Sequence, residues 1–367
     1  MKMLFVCYAK SNARSTNDFA YTHRVIQLER ALSQLGVSTE TLFLKDCSVR
    51  SPALIQPLNA LSILRQARNF EVIHSGGNVP AYVFGLLRPL LRSKPIIIYD
   101  VHADTLEESH LEPGIRGRAF AVENFFMEYV ATRASDYFVV ASRRLKGRLL
   151  ERGIPSARIE VISNGVDVRF FRPRRKKPKS RSFFRVAYAG AFQTWQSIEA
   201  LISAGETLPD NIVFRMIGFG NQDGELKRRI RERLGTRVEL IDWTPRERLI
   251  PLLSDSDVLI IPRMNREVSA AFPTKFGEYA ALGKPVIVTG IDETSELVKS
   301  YDCGFVSEPT VKSIADTIRQ ASNSSKEDLL RKGRNARKLA ETELDMKMVG
   351  RKYAAMISRL LSSKGTD

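Results

Sequence analysis

The chain has 367 residues, 43% of them hydrophobic, and a mean hydropathy of −0.19, which predicts two soluble globular domains with cores large enough to need no staples. Its cysteines, Cys7, Cys47 and Cys303, are odd in number and far apart, which excludes a disulfide framework or a zinc spacing and fits a reducing cytoplasm. The formal net charge is +16, and residues 142–185 carry 15 Lys and Arg against three acids, so most of the excess is local.

The first strand is "MLFVCY", residues 3–8; its apolar run is too short for a secretory signal. "DFAYTHRVIQLERALSQLG" has helical spacing, with Asp18 as the expected N-cap and Gly36 as the stop. A strand "STETLFL" and a basic amphipathic helix "QPLNALSILRQARNF" follow. "VPAYVFGLLRPLLRSKPIIIYDV" is the most apolar stretch, but Arg88, Pro89, Arg92, Lys94 and Pro95 interrupt it. It cannot supply the roughly 20 clean residues of a membrane span. "EVIHSGG" and "PIIIYDVHAD" read as buried strands, then "ENFFMEYVATRAS" as a helix and "DYFVVAS" as a strand. A basic helix "SRRLKGRLLERG" and a strand "IEVISNG" close the first half.

The pattern breaks at "DVRFFRPRRKKPKSRSFFR", which reads as a link between domains. A new series begins with the strand "RVAYAG" and a helix over residues 197–206. It continues through "IVFRMIG", "GELKRRIRERLG", "VELIDW", "PRERLIPLLSD" and "DVLIIP". "FPTKFGEYAALGKPVI" is a loop, a helix and a buried strand; "GFVSE" is one more strand, and helices fill the rest to about residue 363. Strands alternating with helices predict parallel sheets, so the fold class is α/β, two doubly wound Rossmann-like domains in series.

Ligands of open α/β sheets bind at the carboxyl ends of strands. "FPTKFGEYAAL" lies at such an end, with Pro273 suited to the first helical position. A helix N-terminus attracts phosphate. Lys275 adds a full charge, and Glu278, one turn on, can accept hydrogen bonds from a hydroxyl pair. A nucleotide diphosphate joined to a sugar needs both contacts. The plain alternative is a surface Lys–Glu pair worth a few tenths of a kcal/mol. Asp100, His102 and Asp104 alternate along one strand face and could pass for a metal set, though no further ligand is evident. "DSD" at residues 255–257 also looks metal-like, but between a helix and a strand it reads as capping.

"PTKFGEYAALGKPVI" resembles the donor-binding segment of glycosyltransferase family 4, enzymes of the GT-B fold. "NGVDVRFFRP", "YAGAFQTWQSIEALI", "MIGFGNQDGELK", "LIDWTPRERLIPLLSDSDVLIIPR" and "YDVHADTLEE" resemble further family segments in the expected order, so the likeness covers nearly the whole chain. It implies GT-B architecture, two Rossmann-like domains facing each other across a cleft. Residues 1–172 would hold the acceptor, 173–184 form the basic linker, and 185–345 hold the nucleotide sugar. The last helix, about 346–363, would pack back on the first domain. The implied activity is retaining glycosyl transfer from a nucleoside-diphosphate sugar, without a bound metal or other cofactor, in polysaccharide, glycolipid or other glycoconjugate biosynthesis.

By that resemblance Glu278 binds ribose or donor sugar, and Lys275 and Arg263 hold the diphosphate. Gly190 and Ala191 form the loop beneath it, and Trp243 and Thr244 border the base. His102 lies by the donor sugar and acceptor, with Arg14 and Asp104 as acceptor contacts. The chain departs from the family pattern in three places. Ala270 stands eight residues before Glu278, where many members have a second Glu. The loop "AFQTWQS" has no cation, and "AKSNARSTND" replaces a glycine-rich loop after the first strand. A non-catalytic nucleotide-sugar-binding protein and a sugar-nucleotide epimerase are the rival readings. The basic segments suggest an anionic membrane and a lipid-linked acceptor at the cytoplasmic face, or else a solvated linker and helix face. No motif favours nucleic acid.

Overall fold

The computed structural model describes residues 1–9, 16–45, 60–91, 93–102, 114–174, 182–192, 197–263, 272–290 and 292–364. The chain divides into two compact units. The first comprises Met1–Asn164, Ala270–Phe272 and Met346–Asp367; the second comprises Gly165–Ser269 and Pro273–Asp345.

The first unit runs β1 (Lys2–Ala9), α1 (Thr16–Ser33), β2 (Ser38–Lys45), α2 (Ala60–Ala67), β3 (Val72–Gly76), α3 (Asn78–Leu87), β4 (Ile96–Val101), α4 (Gly114–Ala134), β5 (Tyr137–Val140), α5 (Arg143–Glu151) and β6 (Ile159–Val161). The strands form one parallel sheet in the order β2-β1-β3-β4-β5-β6. Alternate residues of a strand buried on both faces feed two layers. Met3, Phe5 and Cys7 join a core with Val25 and Leu28 of α1 and with Tyr353, Met356 and Ile357 of the last helix. Leu4 and Val6 join Ile63 of α2 and Val83 and Phe84 of α3 on the other side. The helix start differs from the sequence expectation. α1 begins at Thr16, which places Asp18 inside its first turn rather than at its cap. α4 begins at Gly114 instead of Glu123.

The second unit runs β7 (Phe184–Ala189), α6 (Ile198–Glu206), β8 (Ile212–Phe219), α7 (Gly224–Leu234), β9 (Val238–Asp242), α8 (Arg246–Ser254), β10 (Val258–Ile261), α9 (Thr274–Ala281), β11 (Val286–Thr289), α10 (Glu293–Tyr301), β12 (Gly304–Ser307), α11 (Val311–Asn323) and α12 (Lys326–Leu339). The chain then passes through a π turn into α13 (Met346–Lys364), which belongs to the first unit. The second sheet is also parallel, in the order β12-β11-β10-β7-β8-β9, the strand order of a Rossmann sheet. β7 and β10 are neighbours, and the strands continue outward from them in opposite directions. The crevice at their carboxyl ends is the topological switch point, where such sheets bind ligands. Pro273 occupies the N-cap of α9, and Thr274 takes the first helical position.

Candidate active site

The switch point of the second unit is where four of the expected donor residues meet. The end of β7 and α9 are tied by Tyr279, whose hydroxyl accepts from Ala189 N at 2.8 Å and donates to Ala189 O at 3.2 Å. Gly190 follows with φ +147°, and a Cβ there would lie 2.6 Å from Lys275 Nζ. A Cβ on Gly218, φ +120°, would lie 2.5 Å from Gly190 O. Only glycine at both positions lets the two backbones and the ammonium group approach so closely. Lys275 Nζ donates to Tyr188 Oη at 3.1 Å and sits 4.5 Å from that ring's centroid. The Tyr188 hydroxyl donates to Ala191 O at 2.7 Å. Burial, with the nearby charge of Arg263, pushes the Lys275 pKa down to about 7 against the opposing pull of Glu278. The cation is therefore close to giving up its proton, and a bound anion would restore it.

Glu278, one turn along α9, pairs with Arg246 from the first turn of α8, Nη2 to Oε1 at 3.0 Å. Burial raises its pKa, and Arg246 and Lys275 oppose the rise. Arg246 is a member of the site that the sequence reading missed. It sits in "RERL", one cation among alternating charges, and no local pattern separates it from Arg248. Arg263 leaves the end of β10 and pairs with Asp292 at 3.1 Å, the residue that caps α10 by accepting from Ser295 N. Trp243 is 58% exposed and so no part of the core, and its backbone N donates to Phe219 O at 2.9 Å. It and half-buried Thr244 lead through Pro245 into Arg246. Phe192, also unforeseen, stacks on Phe219 with centroids 3.7 Å apart and meets Tyr188 edge-on.

In the first unit, His102 follows β4 next to a buried ionic network. Asp100 is wholly buried and receives Arg24 twice, Nε to Oδ2 at 3.0 Å and Nη2 to Oδ1 at 3.2 Å. Arg24 also donates to Asn164 Oδ1 at 2.9 Å and Ile162 O at 2.8 Å. His74 Nε2 lies 3.3 Å from Asp100 Oδ2, and its Nδ1 lies 2.6 Å from the Tyr353 hydroxyl of α13. Burial alone would raise the Asp100 pKa; Arg24 and the two histidines outweigh it and hold the carboxyl far below the usual range. His102 Nε2 is 3.5 Å from Asp100 Oδ2, but burial, helped by Arg24, pushes its pKa down to about 3. Its imidazole is neutral at ordinary pH and serves as a hydrogen-bonding group, not as a cation.

Asp100 is thus committed to Arg24 rather than to a metal set, and among the described residues no group of three or more His, Cys, Asp or Glu is placed to hold a metal ion. Asp104 and Arg14 lie outside the described residues. The "DSD" acids are structural: Asp255 pairs with Arg185 and Arg215, and Asp257 accepts from Arg185 N at 2.7 Å.

Comparison with known proteins bears on the family and the fold. The family description "Glycosyl transferases group 1" matches residues 170–339, and "Glycosyltransferase Family 4" matches residues 25–170. WcaL of Escherichia coli strain K12, named for glycosyl transfer in colanic acid biosynthesis, is 25% identical over 62% of this chain and 58% of its own length. The chain spans about three fifths of the length of the curated relatives it matches. Among solved structures, sucrose-phosphate synthase from Thermosynechococcus elongatus superposes with a TM-score of 0.78 at 17% identity, over 99% of both chains. Anabaena HepE in complex with UDP and glucose superposes at 0.74 and 16% identity, over 98% of this chain and 100% of HepE. The two matches meet at residue 170, close to the boundary between the two sheets, and Lys275 lies inside the group 1 match: the chain belongs to glycosyltransferase family 4 and has the GT-B fold.

Proposed function

We propose that the protein moves a sugar from a nucleoside-diphosphate sugar to a hydroxyl acceptor with retention of configuration, as a step in glycoconjugate assembly. The observation that carries this reading is Lys275. It is a half-buried cation with a pKa near neutrality, set against the glycine backbone at a Rossmann switch point and one turn before a half-buried carboxylate. Lys275 and Arg263 meet the diphosphate, where leaving-group charge grows in the transition state. Gly190 and Ala191 admit the phosphates to the backbone, Glu278 accepts from ribose or sugar hydroxyls, and Trp243 and Thr244 border the base. Neutral His102 offers a hydrogen bond to the transferred sugar, with Asp104 and Arg14 assigned to the acceptor.

The acceptor hydroxyl attacks the anomeric carbon from the face that the diphosphate leaves. The new C–O bond forms as the sugar–phosphate bond breaks, and the departing phosphate oxygen takes the hydroxyl proton. Catalysis is then positioning and electrostatics. UDP sugars are the first donors to test, because HepE is described with UDP and glucose bound.

The test is thermal stabilisation by UDP, GDP, ADP and their sugar conjugates, followed by product analysis with candidate acceptors. A ligand at 100 times its Kd adds about 2.7 kcal/mol. A shift with one nucleotide, abolished in Lys275→Ala, followed by release of nucleoside diphosphate and a glycoside of unchanged anomeric configuration, is the expected result. Binding without turnover would favour the non-catalytic reading. An isomerised sugar nucleotide would favour the epimerase, and no binding at all would overturn the donor site.

A further inference from the structure

One helix of the first unit is apolar on its outward face as well as its inward one. α4 buries Asn124, Met127, Glu128 and Ala131. Its opposite side shows Val122 at 70% exposure, Phe125 at 61%, Phe126 at 51% and Tyr129 at 50%. Spacings of three and four residues put these on a single stripe. The neighbouring helix extends the patch: Tyr82 of α3 meets Phe126 edge-on at 5.9 Å, and Leu90, in the turn after α3, is 63% exposed. Large side chains gathered this way on a folded surface mark an interaction site.

The charges around the stripe are sorted by sign. Arg118 and Arg133 are exposed four residues beyond its two ends, and the Arg133 guanidinium lies 5.1 Å from the Tyr129 ring centroid. The acids of the helix turn away from water. Glu128 is buried, accepting from Tyr99 Oη at 2.7 Å and paired with Arg152 at 3.4 Å, and Glu123 is half-buried beside Tyr82. At the end of the patch Arg88 donates to Ala134 O and pairs with Asp136 at 2.6 Å. Two copies meeting on this stripe would set arginine ends against arginine ends, so a second copy is a poor complement. An anionic lipid surface is a good one: aromatic side chains settle at the headgroup level, and arginines at both ends meet phosphates. Among the described residues no helix is long and apolar enough to cross a membrane, so this helix would lie in the interface plane.

We propose that the outer face of α4, with Val122, Phe125, Phe126 and Tyr129 between Arg118 and Arg133, docks the protein on an anionic bilayer. The face is distinct from the basic segments that the sequence singled out. In α2 and α5 the apolar sides, Ile63 and Ala67 or Leu145 and Leu149, are buried in the unit's own packing, and Leu150 of α5 is exposed singly rather than in a stripe. The proposal does not depend on which sugar or nucleotide the second unit takes.

The experiment is sedimentation with vesicles of phosphatidylcholine, with and without phosphatidylglycerol, at low and high salt. Wild-type protein should pellet with anionic vesicles, keeping part of its binding at high salt. The paired change Phe125→Ser and Tyr129→Ser should remove at least tenfold of the salt-resistant part, and Arg118→Ser with Arg133→Ser the salt-sensitive part. Circular dichroism and melting should match wild type. As a direct reading of depth, Phe125→Trp should shift its emission to the blue on anionic vesicles and be quenched by brominated lipids, relative to wild type with its own two tryptophans. Vesicle binding unchanged in the Phe125/Tyr129 variant, or an unquenched Trp at 125 in sedimented protein, would overturn the proposal. So would a solution dimer that this variant dissolves, which would assign the face to a second copy.

Discussion

Each unit gathers a cluster of charges at the carboxyl end of its sheet, wholly buried in the first unit and half-buried in the second, and the two clusters are balanced in opposite ways. In the first unit Asp100 is held ionised: two bonds from Arg24 and two adjacent imidazoles overcome its burial. In the second unit burial wins. Lys275 is pushed toward its neutral form and Glu278 toward its protonated form. The first network joins α1, β3, β4 and α13 into one body. The second holds charges whose ionised forms are under-stabilised, the state expected where an arriving ligand is to supply the balance.

The comparison breaks first, and by the largest margin, if Asp100 can be removed cheaply. Asp100→Asn leaves the Arg24 guanidinium buried against a neutral amide, and breaking a buried pair from one side costs about 3–5 kcal/mol. The loss should appear in chemical unfolding as an earlier transition of the first unit, with nucleotide-induced stabilisation of the second unit preserved. Replacing both partners, Arg24→Met with Asp100→Leu, should recover much of it, because apolar replacement of a whole buried pair is often neutral. A single variant as stable as wild type would show that the network is not structural.

Lys275→Ala should do the reverse. Turnover should fall by about 10²–10³, the usual cost of removing a preorganised stabiliser of developing negative charge. Stability should hold or rise slightly. The sign follows from linkage: the folded value, about 7, lies below the ordinary 10.5, so the unfolded chain binds more protons between those values. Between them Lys275 therefore opposes folding, and the opposition shrinks as pH rises. Melting temperatures and steady-state rates on the same preparation check both halves. A variant that loses activity only by unfolding would move Lys275 into the structural class.

The contrast also explains what could be read from sequence. The alternation of sheets and helices was legible because strands buried on both faces are continuous apolar runs such as "IIIYDV" and "VLII". Lys275 and Glu278 were legible because a charged first turn beside a strand end is a local pattern. The Asp100 network was not. Its members run from Arg24 to Tyr353, and no window contains them, so Asp100 read as half of a metal-like alternation. Arg246 was hidden among alternating charges. The outer face of α4 was hidden for the opposite reason: apolar residues all round a helix read as core, and only exposure separates Phe125 from Met127.

The pH dependence of donor binding sharpens the comparison further. On the proposed reading the diphosphate needs the ammonium form of Lys275, which is about half populated near pH 7 in the free protein. Nucleotide Kd should therefore rise above pH 7, approaching tenfold per unit, until the higher pKa of the complex is reached. Calorimetry in two buffers of different ionisation enthalpy should show proton uptake on binding at pH 8. Lys275→Arg keeps its charge throughout and should flatten the profile even if it fits the site poorly. A wild-type Kd independent of pH between 6 and 9 would mean that the lysine titrates outside that window.

The smallest expected effect tests how the second cluster is kept from collapsing. Glu278 carries the burden of burial, and Arg246 and Lys275 are what keep it available as a carboxylate. Arg246→Ala removes the 3.0 Å pair, so the Glu278 pKa should climb further. A protonated Glu278 accepts fewer hydroxyl hydrogen bonds, so the variant should lose donor affinity most at the acidic end of the profile and recover as pH rises. The loss is expected to be several-fold, less than the ~1.5–3 kcal/mol that a hydrogen bond to a charged group contributes, because Lys275 remains to hold Glu278 ionised. Arg246→Lys, which keeps the charge but not the fork, should fall between. A merely structural arginine would lower the melting temperature and shift the whole pH profile uniformly. A loss confined to the acid limb, with kcat at alkaline pH near wild type, would place Arg246 as the residue that positions and charges Glu278.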